Sequence, residues 1–263
     1  MFKKPIRYCI ILIIKTIANA CYKIQCTLSK CSKNIPPPPR KTSRLLEFSD
    51  LSENITKSIG YAWVENMYYS NAEQEQWLET FWNKDTYFYK CFKQLDCSNI
   101  VELACGHGRH VQKYLDKASN VTLVDINQQN IDFCKKRFLN ETKIKYIVNT
   151  GNDFNGIETN SQTAVFTYDA MVHFEMMDIL SYIKDANRIL IEGGKILFHH
   201  SNAAYLPELG WNKPYGRNFM SADIFAYLAL RHGFIVLSQN VFDWNNTMDS
   251  DCLSLCKKIR TIG

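Results

Sequence analysis

From residue 99 to the C-terminus, apolar strand-like runs alternate with longer amphipathic stretches, and no other feature of the chain limits its fold so strongly. The strand-like runs fall at 99–104, 121–125, 144–148, 163–168 and 194–200, then near 234–238 and 251–258. Helix-like stretches at 109–118, 127–139, 176–190 and 221–232 lie between most of them. Alternation of this kind predicts an α/β body, a mostly parallel sheet covered by helices on both faces. With 263 residues, 46% of them apolar and 22% charged, the chain is long enough for one sizeable core, or one core with an added subdomain.

A ligand of such a sheet sits beyond the carboxyl ends of the central strands, where the strand order reverses. The first run, "NIVELACGHGRH", ends there in Gly106-His107-Gly108, whose glycines let the backbone approach a ligand closely. Asp125 closes the second run, 19 residues after Gly106, where a carboxylate can accept the hydroxyls of an adenosine ribose. A dinucleotide fingerprint asks for a third glycine at 111, where this chain has Val111, and Glu102 inside the first strand would repel a pyrophosphate. A ligand with an adenosine ribose, positive groups and no phosphate fits better. S-adenosylmethionine, with its ammonium and sulfonium, is such a ligand.

At these residues the sequence resembles the class I S-adenosylmethionine-dependent methyltransferases. The resemblance runs through "VELACGHGRH", "VTLVDIN", "NTGNDF", "AVFTYDAMVHF" and "EGGKILFHHSN" in that order, over about residues 99–260. It implies a Rossmann-like seven-stranded methyltransferase sheet and S-adenosylmethionine as cofactor. The implied cofactor contacts are Glu102, Ala104, Gly106, Gly108, Asp125, Ile126, Asp153, Phe154 and Tyr168, with Asp153 near the adenine amine and Phe154 near the adenine ring.

Methyl transfer is an in-line displacement, so the protein must hold the nucleophile and remove any proton it carries. Amine methylases of bases and glutamine place an Asn/Asp-Pro-Pro-aromatic run after the fourth strand, and cytosine-carbon methylases a Pro-Cys. This chain reads Tyr168-Asp169-Ala170-Met171 there, which speaks against a nucleic-acid acceptor. Asp169 is followed by His173, and His199-His200-Ser201-Asn202 stands after the fifth strand. Neighbouring strand residues face opposite ways, so one of the two adjacent histidines is expected to look into the crevice. His200, nearer the open end, is the expected general base ahead of His199. His173 is a second catalytic candidate or a packing residue. Asp169 and Asn202 offer an alternative, a divalent ion that lowers a hydroxyl's pKa, although a resident metal is not the expectation.

The stretches "HHSNAAYLPELGWNKPYGRNFMSADIF" and "YAWVENMYYSNAEQEQWLETFW" also resemble methyltransferases of bacterial surface-polysaccharide synthesis. This implies an O-methyltransferase acting on a sugar hydroxyl of a surface glycan or its precursor. Tyr68, Tyr69, His199, Asn202, Trp211, Arg217 and Asn218 are the candidates for contact with that acceptor. Two other readings stay open: transfer to a small metabolite or lipid head group, and an S-adenosylmethionine-binding partner without turnover.

Residues 1–44 carry ten basic side chains and no acidic one, which leaves 21 basic against 26 acidic residues in the remainder. The body therefore lacks the basic field that nucleic-acid binding needs. In helical projection Lys4, Arg7, Lys15, Lys23 and Lys30 form a stripe opposite Ile6, Ile10, Ile13, Ile14, Ile17, Ile24 and Leu28. That pattern predicts a basic amphipathic helix lying on a membrane surface through residues 1–31, since Lys15 and Lys23 interrupt any spanning run of about 20 apolar residues. An export signal, and a helix packed on the body or on a second copy in a homo-oligomer, are the alternatives. Pro36 to Pro39 form a stiff spacer. The expected organisation is a tail and linker at 1–44, an aromatic-rich helical cap at 45–98 and the cofactor-binding domain at 99–263. Ten scattered cysteines without disulfide grammar, and a cofactor made in the cytosol, place the chain in the cytoplasm at the inner face of the membrane. Cys252 and Cys256 read as a core pair rather than as half a zinc site.

Overall fold

The computed structural model describes residues 52–64, 68–206, 209–211 and 215–259. The helix expected over 1–31, the proline spacer and the boundary at 44/45 lie outside these residues. Strand β1 (Asn99–Leu103) is apolar and buried, and runs parallel between β2 (Asn120–Asp125) and β4 (Gln162–Thr167). β3 (Ile144–Val148) pairs outside β2, and β5 (Leu190–Ser201) outside β4, both parallel. β7 (Thr247–Lys258) inserts antiparallel between β5 and β6 (Phe234–Trp244), giving the order β3-β2-β1-β4-β5-β7-β6. The chain leaves β1 on one side and returns for β4 on the other, so a crevice opens at the carboxyl ends of these two strands.

The expected strands and helices are present, with two departures. β6 and β7 are longer than the apolar pattern shows, because Asn245 and Asn246 both take positive φ (48° and 64°) and close a tight hairpin. The outer part of β6 carries Ser238, Gln239 and Asn240, which break the apolar signal. The helix expected over 109–118 is instead two 3-10 turns, Val111–Lys113 and Leu115–Lys117. Three-residue spacing puts Val111 and Tyr114 on one side, where both are fully buried and the Tyr114 hydroxyl donates to Glu102 at 2.6 Å.

Among the described residues four short helices precede the sheet: α1 (Ser52–Ala62), α2 (Tyr68–Ala72), α3 (Glu75–Trp82) and α4 (Tyr87–Phe92). They belong to the same unit as the sheet, Leu51–Gly263. α4 drives Phe88 and Phe92 against Phe166 and Tyr168 on one face of the sheet. α5 (Gln128–Arg137) adds Ile131 and Cys134 to that core. The other face is covered by α6 (Met176–Ile189) and α7 (Ala222–Arg231). α6 buries Ile179, Tyr182, Ile183, Ala186 and Ile189 at helical spacing, and each of its isoleucines contributes about 1.5–3 kcal/mol by leaving water. Glu175 caps α6 by accepting from Met177 N (2.6 Å), and Ser221 caps α7 by accepting from Ile224 N (3.2 Å). Cys252 and Cys256 are buried thiols of the core. Among the described residues no cluster of His, Cys, Asp or Glu is suited to a metal, and no helix is long and apolar enough to cross a membrane.

Candidate active site

A cavity occupies the reversal point, with the ends of β1 and β2 and the turn after β4 at its floor and α1 and α2 over it. Small-molecule sites form in such crevices. β1 ends in Ala104 at φ 54°, followed by Gly106 and Gly108 at 53° and 73°. A left-handed alanine costs roughly 1–2 kcal/mol, so packing must hold this loop in place. Gly106 has a second requirement: a Cβ there would stand 2.6 Å from the ring of Tyr69. Tyr69 in turn stacks on His107 at 4.4 Å, and His107 on Phe133 at 3.8 Å.

Asp125 lies beside this loop, 4% exposed. Its Oδ2 accepts from Gly106 N at 2.9 Å, and its Oδ1 from Asn127 N at 2.9 Å and Asn130 Nδ2 at 3.1 Å. Burial raises its pKa above the ordinary carboxylate value, and these donors oppose the rise. Burial pushes Glu102 up to about 7, while the Tyr114 hydroxyl works the other way. Ile126 lines the cavity next to Asn127, whose Nδ2 donates to Gly60 O of α1 at 2.8 Å. α1 is tied to α6 as well, through Thr56 Oγ1 donating to Asp178 at 2.6 Å. Burial raises Asp178 to about 6.

The opposite end is built from side chains. Asp169, at φ 60°, ends the turn after β4 and accepts from the Tyr68 hydroxyl and from Arg109 Nη2 at 3.1 Å. Beside it His173 lines the cavity with its ring 4.9 Å from that of Trp63. The Nδ1 of His173 is 2.7 Å from Gly216 O. A carbonyl only accepts, so Nδ1 carries the proton and Nε2 keeps its lone pair. Burial lowers His173 to about 4, against a weaker opposing effect of the Gly216 bond, so the ring is neutral at pH 7. Asn218 supports it from behind, donating from Nδ2 to His173 O and from its backbone N to Val172 O.

The structure corrects several expectations. Neither adjacent histidine of β5 lines the cavity. His200 is fully buried against Phe225 of α7 (4.2 Å), bonded to Ser201 O and Ser254 Oγ, and lowered by burial to about 3. It has no route to an acceptor hydroxyl. His199 faces the other side, under Tyr168 (4.6 Å). Its Nδ1 accepts from Asp169 N at 3.0 Å, so Nε2 carries the proton and donates to Asp251 at 2.9 Å, leaving no lone pair for a base. Asp251 also takes both arms of Arg217, at 2.9 and 2.8 Å. Burial pushes this carboxylate up, but its bonds to His199 and Arg217 prevail and hold it at about 2.

Arg217 is therefore committed to Asp251 of β7 and does not line the cavity. Asn202 spends its amide on Asp249 O and on Ala222 N at the start of α7, so it cannot share a metal with Asp169. Trp211 donates to Ala203 O and packs on Phe219, away from the cavity, and Asn218 is likewise structural. Tyr69 sits over the glycine loop, at the opposite end from Asp169. Asp153 and Phe154 do not line the cavity: Phe154 is wholly buried against Tyr182 (5.2 Å), and Asp153 accepts from Asn155 N and Thr150. Glu102, Ala104, Gly106, Asp125, Ile126 and Tyr168 do line it, and Gly108 turns behind them against Phe138.

Two residues that sequence reasoning missed are the strongest signs of a ligand. Arg109 Nη1 and Asn127 Oδ1 are buried without a hydrogen-bond partner, although both residues line the cavity. Unpaired polar atoms of this kind cost about 1–3 kcal/mol each unless something binds them. A cationic donor suits a carboxylate, a carbonyl acceptor suits an amine or hydroxyl, and Asp125 suits a ribose. S-adenosylmethionine carries all of these groups, so the residues present fit it. The only sequence signal for Arg109 is its place directly after Gly108; Asn127 had none beyond following Asp125.

Residues 101–198 match the family model described as a methyltransferase domain. No curated protein matches the chain. Among solved structures, an S-adenosylmethionine-dependent methyltransferase from Mesorhizobium loti is 14% identical with a TM-score of 0.53, over 65% of this chain and 97% of that one. The N-methyltransferase NodS from Bradyrhizobium japonicum WM9, in complex with S-adenosyl-L-homocysteine, is 13% identical with a TM-score of 0.53, over 79% of this chain and 98% of that one. At such identities the likeness is one of fold, and the fold is the Rossmann-like sheet of the methyltransferases.

Proposed function

We propose that the acceptor of this S-adenosylmethionine-dependent methyltransferase is a hydroxyl on a sugar ring, and that His173 takes its proton. One observation carries the reading. His173 stands on the cavity wall with Nδ1–H committed to Gly216 O, which leaves a neutral imidazole with its Nε2 lone pair available at pH 7. Trp63 offers a flat apolar face beside it, and the Tyr68–Asp169–Arg109 group offers donors and acceptors for neighbouring hydroxyls. Asp125, Asn127 Oδ1, Arg109 Nη1 and the backbone from Ala104 to Gly106 would hold the cofactor. The cofactor supplies a methyl group already activated by positive sulfur. The protein's share is to orient the hydroxyl, move its proton to Nε2 and keep water out beneath α1 and α2. The basic, isoleucine-rich sequence of residues 1–31 supports a position on the inner face of the cytoplasmic membrane, where glycan precursors carried on lipids would be within reach.

Transfer of tritiated methyl from S-adenosylmethionine to purified surface-glycan fractions tests the acceptor, with cytosolic metabolites and lipid extracts run beside them. Label in the glycan fraction is the expected result. Label confined to metabolites or lipids overturns the sugar reading, and S-adenosylhomocysteine binding without any transfer makes the chain a binding partner.

A further inference from the structure

Beyond Tyr68 and Tyr168 lies a second hollow, between the α3–α4 segment and the tip of the β6–β7 hairpin. The same two tyrosines line the first cavity, so the two spaces share a wall. The hollow is ringed by aromatics: Trp77 and Tyr87 on the helical side, Phe242 and Trp244 on the hairpin side. Phe81 and Trp244 lie nearly parallel with centroids 6.4 Å apart, and Tyr87 stands 6.2 Å from Phe242. Trp77 is 38% and Tyr87 49% exposed. Large exposed rings gathered around one hollow mark a binding surface rather than a core.

The polar groups among these rings decide what fits. They are the hydroxyl-bearing Thr80 and Thr86, Asn245, and the carboxylates of Asp85 and Asp243. No lysine or arginine is among the described residues that line the hollow. The nearest guanidinium groups, Arg109 over Phe81 and Arg217 over Trp244, are paired with Asp169 and Asp251. Two lining carboxylates with no cation of their own disfavour a phosphate, a sulfate or a uronate, and so a nucleotide, an anionic lipid head or an acidic glycan. The C–H faces of pyranose rings stack on aromatic faces, and their hydroxyls donate to carboxylates and threonines. We propose that the hollow is an acceptor subsite for a neutral oligosaccharide. One ring enters the cavity past Tyr68, and the neighbouring rings rest on Trp77 and Tyr87. This rests on the sugar-hydroxyl reading above and narrows it, from a single sugar to a neutral chain of two or more rings.

The test uses the full chain, with S-adenosylhomocysteine present, on an array of immobilised neutral, uronic and sulfated oligosaccharides of one to six rings. Trp77→Ala and Tyr87→Ala run beside it, and S-adenosylhomocysteine affinity serves as the check on folding. Retention of neutral glycans of two or more rings is expected. Each variant should lower that retention, and raise KM for such an acceptor, by about tenfold, which corresponds to about 1.4 kcal/mol. Preferential retention of uronic or sulfated glycans, or retention by both variants equal to the natural chain's, overturns the subsite. Tritiated methyl transfer to the same array separates the two claims. Transfer that is undiminished in both variants removes the subsite and leaves the sugar reading standing. Neither transfer nor retention by the natural chain removes both.

Discussion

The two ends of the cavity are built in different ways. At the glycine end the partners of the central carboxylate are near neighbours in the chain: Asp125 binds the backbone of Gly106, Asn127 N and the Asn130 amide, all within 25 residues. At the acceptor end every key contact is distant. His173 depends on Gly216, 43 residues on; His199 on Asp251, 52 on; Asp169 on Tyr68, 101 back. The first kind of site is a property of a local motif. The second exists only once the helical cap, β5 and the hairpin have packed together, so the two ends should respond to mutation differently.

The sharpest break between them is expected at His173. His173→Ala should lower kcat by roughly 10²–10⁴-fold while S-adenosylhomocysteine affinity, read by calorimetry, stays nearly unchanged. The pH profile carries the same signature. Burial moves His173 from the usual 6.5 to about 4, so its base form is present above that value. Rate should stay level below neutrality and be lost as pH falls through about 4. A rate that already declines near 6.5 would mean that the ring is not held as described.

Next in size is Asp251→Ala, which strands His199 and Arg217 beside a buried gap. Removing one partner of such a group costs about 3–5 kcal/mol, visible in urea unfolding, and the acceptor end should suffer first. A loss below about 1 kcal/mol would show that other contacts hold β5 and its turn. The converse test is Asp125→Ala. It should weaken S-adenosylhomocysteine binding by about ten- to a hundredfold, or about 1.4–2.8 kcal/mol, and leave the pH profile of His173 in place. Competition by NAD as effective as that of S-adenosylhomocysteine would contradict the cofactor end as read here.

The smallest effect concerns neither end. A chain beginning at Arg40 should lose flotation with anionic liposomes, where each lysine near the surface contributes about 1 kcal/mol, and should keep its rate on a soluble acceptor. If the full chain also stays in solution, the tail is not a membrane helix.

Much of this was legible in advance. The alternation after residue 99 determined the sheet and most of its helices, because strand and helix periods are carried by neighbouring side chains. The spacing from Glu102 through Gly106 to Asp125 determined the floor of the cofactor end for the same reason: the bonds of Asp125 are made within one short stretch of chain, whereas Tyr69 and Gly60 reach that end from the helical cap. Tyr114 was legible only as one more apolar position, and it took a tertiary contact with Glu102 to make 3-10 turns of an expected helix. Arg109 and Asn127 carried no periodic signal, and only their buried, unpaired atoms reveal them.

The choice among histidines was decided by tertiary structure alone. Sequence alternation separates His199 from His200 but does not say what covers each face. Phe225 of α7 closes over one, Asp251 of β7 binds the other, and Gly216, from a loop 43 residues away, leaves His173 with the available nitrogen. A residue's period along the chain is a local property. Which of its atoms is left unpaired depends on partners that meet it only when distant segments pack.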